Sequence, residues 1–257
     1  MAALLMCLTA FLAGGLTLFS GFGLGTLLMP VVALFFPVET AIAVTAVVHF
    51  FNNLARLAAV GRFAEMKIVL RFGIPAFVAA AGGAWVLGWL AHLTPVVRYD
   101  LMGHTFEVLP VKVVISALLV GFVLLESGSF DEALRIQERY LPLGGVLSGF
   151  FGGLSGHQGA FRSACLANCG FTKERFLGTS AVVACLVDLP RLAVYVASPS
   201  LMTVAADPAL LLAIVGSSLV GTVVSALFIK AVTMAAIRTL ITVMLIGIAL
   251  GLGMGLL

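Results

Sequence analysis

The sequence predicts an all-α polytopic membrane protein, with about eight transmembrane segments in two homologous halves and a Gly-broken helix in the first segment of each half. Three observations carry this. Hydrophobic residues make up 62 % of the 257 positions and charged residues 10 %, against roughly 45–50 % and about 25 % in soluble domains, and the mean hydropathy is +1.21. The apolar residues are gathered into blocks of bilayer length, since about 20 helical residues cross a hydrocarbon core of roughly 30 Å. The blocks also recur, because a shift of 135 positions lays polar landmarks of the first half on those of the second.

The same figures exclude several classes. So many crossings leave no stretch for a soluble catalytic domain. The net charge of +3 comes from scattered Lys and Arg, whereas a nucleic-acid surface needs a dense basic face; membrane lipid is the expected surrounding, and no nucleic acid is expected. The opening "MAALLMCLTAFLAGGLTLFSG" has no charge before its apolar run, unlike the basic start of a signal peptide, and reads as a retained first membrane segment. Cys7, Cys165, Cys169 and Cys185 lack paired C-x-x-C spacing, so neither a disulfide framework nor a zinc site is indicated. No cofactor is expected. The chain has no H-E-x-x-H, G-x-S-x-G or P-loop run, which puts a membrane-embedded enzyme behind a carrier or a channel, and an interaction scaffold is weaker still.

Taken in order, charge and turn residues mark the elements. Residues 2–36 are too long for one simple span and are interrupted by "SGFGLG" at Ser20 to Gly25. A second block covers 38–60, followed by "GRFAEMKIVLR" as a charged loop or helix end. The third covers 72–90, with Pro75 near its start. The polar loop "HLTPVVRYDLMGHTFEVLP" leads to a fourth at 111–125. "ESGSFDEALRIQERY" then reads as the boundary between halves, giving a first repeat at 1–127, a charged connection at 128–140 and a second repeat at 141–257. In that second repeat, the block from Leu141 is broken by "GGLSGHQG", and further blocks cover 176–196, 210–229 and 237–257.

The repeat is carried by residues that seldom match by chance in an apolar chain. At the 135-position shift, Ser20-Gly21 falls on Ser155-Gly156, Glu39 on Glu174, and "RLA" at Arg56 on "RLA" at Arg191. The two glycine clusters thereby occupy corresponding places. Glycine costs roughly 1 kcal/mol against Ala in a helix, so both clusters predict unwound backbone. Such backbone survives in a membrane only where it is buried in protein or lines a watery cavity. Paired interruptions in two halves point to a binding site near the midplane, and helix ends with free N–H groups attract anions. The competing reading is that the glycines merely let helices pack closely.

The candidate polar residues follow from the same logic. Arg162 comes just after the second break and is the leading anion ligand. Arg56 and Arg191 either snorkel to the interface or turn inward; Asn53 and Asp188, three positions before them on the same helical face, could hold them while their other donors face an oxyanion. His157 and Gln158 can donate hydrogen bonds, and His157 could carry a coupling proton. His49, Asn52 and Asn53 form a further polar run that lines the pathway or bonds neighbouring helices.

With these residues in place, the chain resembles the sulfite exporter TauE/SafE family. The likeness rests on "GFGLGTLLMPVVALFFPVETAIAVTAVV", on its counterpart "GFFGGLSGHQGAFRSACLANCGFTKERFLGTSAVV", and on the division into two hydrophobic halves; it covers nearly the whole length. The resemblance implies a bacterial plasma-membrane carrier, working as an exporter, of a small anion such as sulfite, a sulfonate or another sulfur-containing anion. It also implies that Gly21, Gly23, Gly25, Gly156 and Gly159 face the substrate route. "GHQGAFR" departs from the family pattern by placing His157 and Gln158 where many members have small residues. An anion channel is the alternative to a carrier. The exact anion, the direction of transport, coupling to a proton or ion, assembly into a homo-oligomer, membrane orientation, and whether the halves run parallel or inverted are left open by the sequence.

Overall fold

The computed structural model describes residues 1–20, 23–101, 104–126, 138–167, 169–197, 207–228 and 234–256. The chain is mostly helical. Helix α1 is Ala2–Ser20, α2 is Leu24–Ala33 and α3 is Val38–Val60. A 3-10 turn at Gly61–Phe63 leads to a single helical turn, α4 (Met66–Ile68), a π stretch at Val69–Gly73, and α5 (Ile74–Ala91). Strands β1 (Val97–Leu101) and β2 (His104–Val108) precede α6 (Pro110–Glu126). After a 3-10 turn at Glu138–Tyr140 come α7 (Leu141–Ser155), α8 (Gln158–Ala167), α9 (Lys173–Val196), α10 (Pro208–Phe228) and α11 (Met234–Gly253). The charged connection expected at 128–140 lies outside the described residues except for its last three.

Among the described residues, four helical stretches are long and apolar enough to cross a membrane: Val38–Phe63, Met66–Ala91, Lys173–Val196 and Pro208–Ser225. Ala2–Thr17, Leu24–Ala33 and Pro110–Leu124 are apolar but shorter. Large apolar side chains cover the outside, including Trp85, Trp89, Leu212, Val220 and Val223, each more than half exposed. A water-soluble protein rarely presents so broad an apolar surface; lipid accepts it.

Two local features depart from the expected elements. "GRFAEMKIVLR" is helical from Met66 onward, so the third block begins before residue 72. Its Lys67 and Arg71 are exposed, and charges at a helix end do not stop a helix whose other face is buried. Pro75 has no N–H for the carbonyl one turn back, and the wider π turn lies just before it, where the ring would otherwise crowd the backbone. The polar loop after α5 contains an antiparallel hairpin. Arg98 faces Glu107 across it at 2.9 Å, Tyr99 stacks on Phe106, and such cross-strand pairs are what stabilise two strands. The Tyr99 hydroxyl donates to the Met254 carbonyl at 2.5 Å, which ties the hairpin to the end of α11.

Helices α3 and α9 pack on each other at the centre. They are the more deeply buried of the four spans, Met66–Ala91 and Pro208–Ser225 being mostly exposed on the outside. Around this pair the packing is reciprocal: α1 lies against α10, α7 against α5, and α6 against α11. The first two crossings are made by glycine. A side chain on Gly149 or Gly153 would run into the backbone of Ala76 or Ala80, and one on Gly14 or Gly221 into the backbone of Ser218 or Phe11. Without a hydrophobic drive between helices in lipid, such backbone-to-backbone approach is what holds them.

Candidate functional site

A polar side chain inside a membrane helix is costly unless the protein supplies its partners. On α3, His49, Asn52, Asn53 and Arg56 recur at helical spacing and form one buried face. On α9, Asp188 and Arg191 are one turn apart and buried, beside the interior Pro190. Because α3 and α9 pack together, these two faces meet.

Asp188 is the hub. Its Oδ1 accepts from Arg191 Nη2 at 2.6 Å and from Gln158 Nε2 at 3.0 Å. Its Oδ2 accepts from Asn53 Nδ2 at 2.9 Å and lies 2.9 Å from His49 Nδ1. Asn53 passes the network on, because its Oδ1 accepts from Arg56 Nη1 at 3.0 Å. Gln158 does the same on the other side, its Oε1 accepting from Arg162 Nη1 at 2.8 Å. Arg162 Nε donates to Ser180 Oγ at 2.9 Å, and Arg191 Nη1 donates to the Gly152 carbonyl at 3.1 Å. One continuous set of hydrogen bonds therefore joins α3, α8 and α9. The three arginines and Asp188 are each at most 1 % exposed. The inward alternative for Arg56 and Arg191 is the one the fold adopts.

The glycine positions frame this network. Gly156 ends α7 at φ +81°, in the left-handed region that other residues enter only at a cost, and a side chain there would lie 3.6 Å from Arg191 Nη1. Gly23 precedes α2 at φ +118°. A Cβ on Gly25 would come within 2.9 Å of the Gly156 carbonyl, so the start of α2 touches the end of α7. Gly159 sits half-buried in the first turn of α8. Gly21 lies outside the described residues.

His157 stands apart from its neighbour Gln158. Its Nδ1 lies 2.9 Å from the Ser155 carbonyl, and its ring stacks on Phe122 with centroids 4.9 Å apart. Among the described residues no hydrogen bond links it to Asp188. Of the polar run on α3, His49 and Asn53 belong to the network, whereas Asn52 donates to Ser218 and Thr222 of α10 at 3.1 and 2.6 Å. Ser180 and the Gly152 carbonyl were not foreseen. A lone serine in "GTSAVVACLV" reads as small packing, and a carbonyl made available by tertiary packing leaves no mark in sequence.

Electrostatically, the set is one-sided. Among the described residues, three buried guanidiniums face a single buried carboxylate. Charges withdrawn from water are tolerated only with close compensation, and guanidinium groups satisfy oxyanions with parallel N–H donors. No cluster of metal-binding side chains occurs among the described residues.

Packed apolar helices around a buried, arginine-rich network at helix ends define an integral membrane protein of the transporter class. The chain matches the family described as sulfite exporter TauE/SafE over residues 6–252, and it belongs to that family, whose members are membrane transporters of sulfite or related anions. No curated protein and no solved structure is matched by the chain.

Proposed function

We propose that the chain is a carrier in the bacterial plasma membrane that exports a small sulfur-containing oxyanion, sulfite or a sulfonate being the nearest examples, by alternating access. The observation that carries the reading is the three-arginine, one-carboxylate network buried between α3, α8 and α9, beside Gly156 at the end of α7. An anion held there would meet guanidinium donors and the positive end of α8, whose first residue, Gln158, is itself in the network. Gly23, Gly25, Gly156 and Gly159 keep side chains out of that approach.

Two homologous halves supply the moving parts in this reading. Helices α1 and α7 end 135 positions apart, at Ser20 and Ser155, and α3 and α9 begin 135 positions apart, at Val38 and Lys173. The reciprocal crossings α1 with α10 and α7 with α5 are what a pair of exchanged repeats would make. Each short helix, α2 or α8, then completes a membrane segment begun by α1 or α7, which brings the crossings to eight.

Proteoliposomes loaded with unlabelled sulfite and given labelled sulfite outside test the mechanism. Saturable uptake, accelerated by the internal anion, is expected of a carrier. Flux that rises in proportion to concentration without such exchange would replace the carrier by a channel.

A further inference from the structure

The two halves treat their equivalent arginines differently. At the 135-position shift Arg56 corresponds to Arg191, but the residue one turn before is Asn53 in the first half and Asp188 in the second. Arg191 is paired: Nη2 lies 2.6 Å from the Asp188 carboxylate, and Nη1 reaches the Gly152 carbonyl. Among the described residues Arg56 has only the neutral Asn53 oxygen, on Nη1, and its Nη2 is buried with no hydrogen-bond partner. Arg191 also has one bare nitrogen, Nε, yet its charge is matched and both terminal nitrogens are engaged. A guanidinium at 1 % exposure that touches no carboxylate, with Asp188 reached only through Asn53, is a standing cost to the empty protein. Such a cost is retained at sites that act on a ligand.

We propose that this asymmetry divides the labour between the equivalent pair: Arg56 is a direct ligand of the transported oxyanion, and Arg191 is a positioning residue. Asn53 makes the division. It orients Arg56 through its carbonyl while adding no negative charge that would compete with the anion. Arg191 acts through Asp188, whose carboxylate it holds against Gln158 Nε2; Gln158 in turn fixes Arg162. The pair Asp188–Arg191 is thus the frame, and the guanidinium one half-repeat away is the open hand. This assignment rests on the anion-carrier reading, and it predicts opposite signs for two substitutions that look alike.

The experiment is thermal unfolding of the purified full-length protein in detergent, with and without sulfite, for wild type, Arg56→Gln, Arg56→Lys and Arg191→Gln. Arg56→Gln removes a buried charge that makes no direct ion pair, so the anion-free protein should melt at or above the wild-type temperature. Its sulfite-induced upward shift should disappear, and Arg56→Lys, which keeps the charge, should restore part of it. Arg191→Gln strands Asp188 and should melt well below wild type without anion. Arg56→Gln melting as low as Arg191→Gln, or retaining the full sulfite shift, overturns the division. A wild type that sulfite does not shift overturns the sulfite-carrier reading instead, while the order of melting temperatures without anion still decides between the two arginines.

Discussion

Asp188 is the residue on which the network converges, and its removal should be felt in folding before it is felt in transport. In Asp188→Asn the Arg191 guanidinium stays buried at 1 % exposure without its counter-charge, and breaking a buried pair in this way costs about 3–5 kcal/mol. Chemical denaturation in detergent should show a loss of that size. Ser180→Ala is a milder case. It deletes the acceptor for Arg162 Nε, and a hydrogen bond to a charged group is worth about 1.5–3 kcal/mol. Sulfite affinity, measured by calorimetry, should fall roughly tenfold or more as Arg162 loses its aim, with the protein still folded. The pairing of Arg56 with Asn53 and of Arg191 with Asp188 was legible because helical spacing alone puts i and i+3 together. What spacing cannot supply is the meeting of α3 with α9 and α8, a tertiary fact, and so Ser180, the Gly152 carbonyl and the separation of His157 from Gln158 could not be read.

Helix ends and crossings carry the next set of consequences. Gly149 and Gly153 lie where α7 touches the backbone of α5, so Gly149→Leu should abolish recovery of folded protein from membranes. On the facing helix α5, a Cβ added at Gly82 or Gly88 would meet nothing within 4 Å. Gly88→Ala should therefore be tolerated, or stabilise the helix by up to about 1 kcal/mol; fluorescence-detected gel filtration after heating distinguishes the two variants. Most helix positions were legible from hydrophobic block lengths and turn residues: α3 runs from Val38 to Val60 and α7 begins at Leu141, as the block boundaries predict. The misreadings have one cause. Lys67 and Arg71 read as a charged loop or helix end, and Arg98 and Glu107 as polar loop, yet the start of a helical stretch and a hairpin both accommodate charge on an exposed face. The alternation in "VRYDL" and "HTFEV" was the available signal for the hairpin, and the apolar setting obscured it.

For the molecule as a whole, the crossings of α1 with α10 and of α7 with α5 tie the N-terminal part of the chain to the C-terminal part. Residues 1–127 leave α1 without α10, and 141–257 leave α7 without α5. Expressed singly, each half should be degraded or aggregate; co-expressed, the two should co-purify through affinity tags on one of them. Composition made the membrane setting legible from the start, because an apolar surface and an apolar interior leave no other solvent. The reciprocal arrangement was not legible, since a repeat in sequence is compatible with side-by-side as well as exchanged packing.

The central claim is that the buried arginine network holds an oxyanion, and Arg162 tests it most directly, because its side chain bonds Gln158 of its own helix α8 and Ser180 of α9. The measurement is equilibrium binding of sulfite to protein in nanodiscs, wild type against Arg162→Gln, with chloride as the competitor. Saturable binding to wild type that chloride does not displace at equal concentration, weakened at least a hundredfold in the variant, is the expected result. Sulfite binding of equal strength in both proteins would contradict the account and place the anion elsewhere in the molecule.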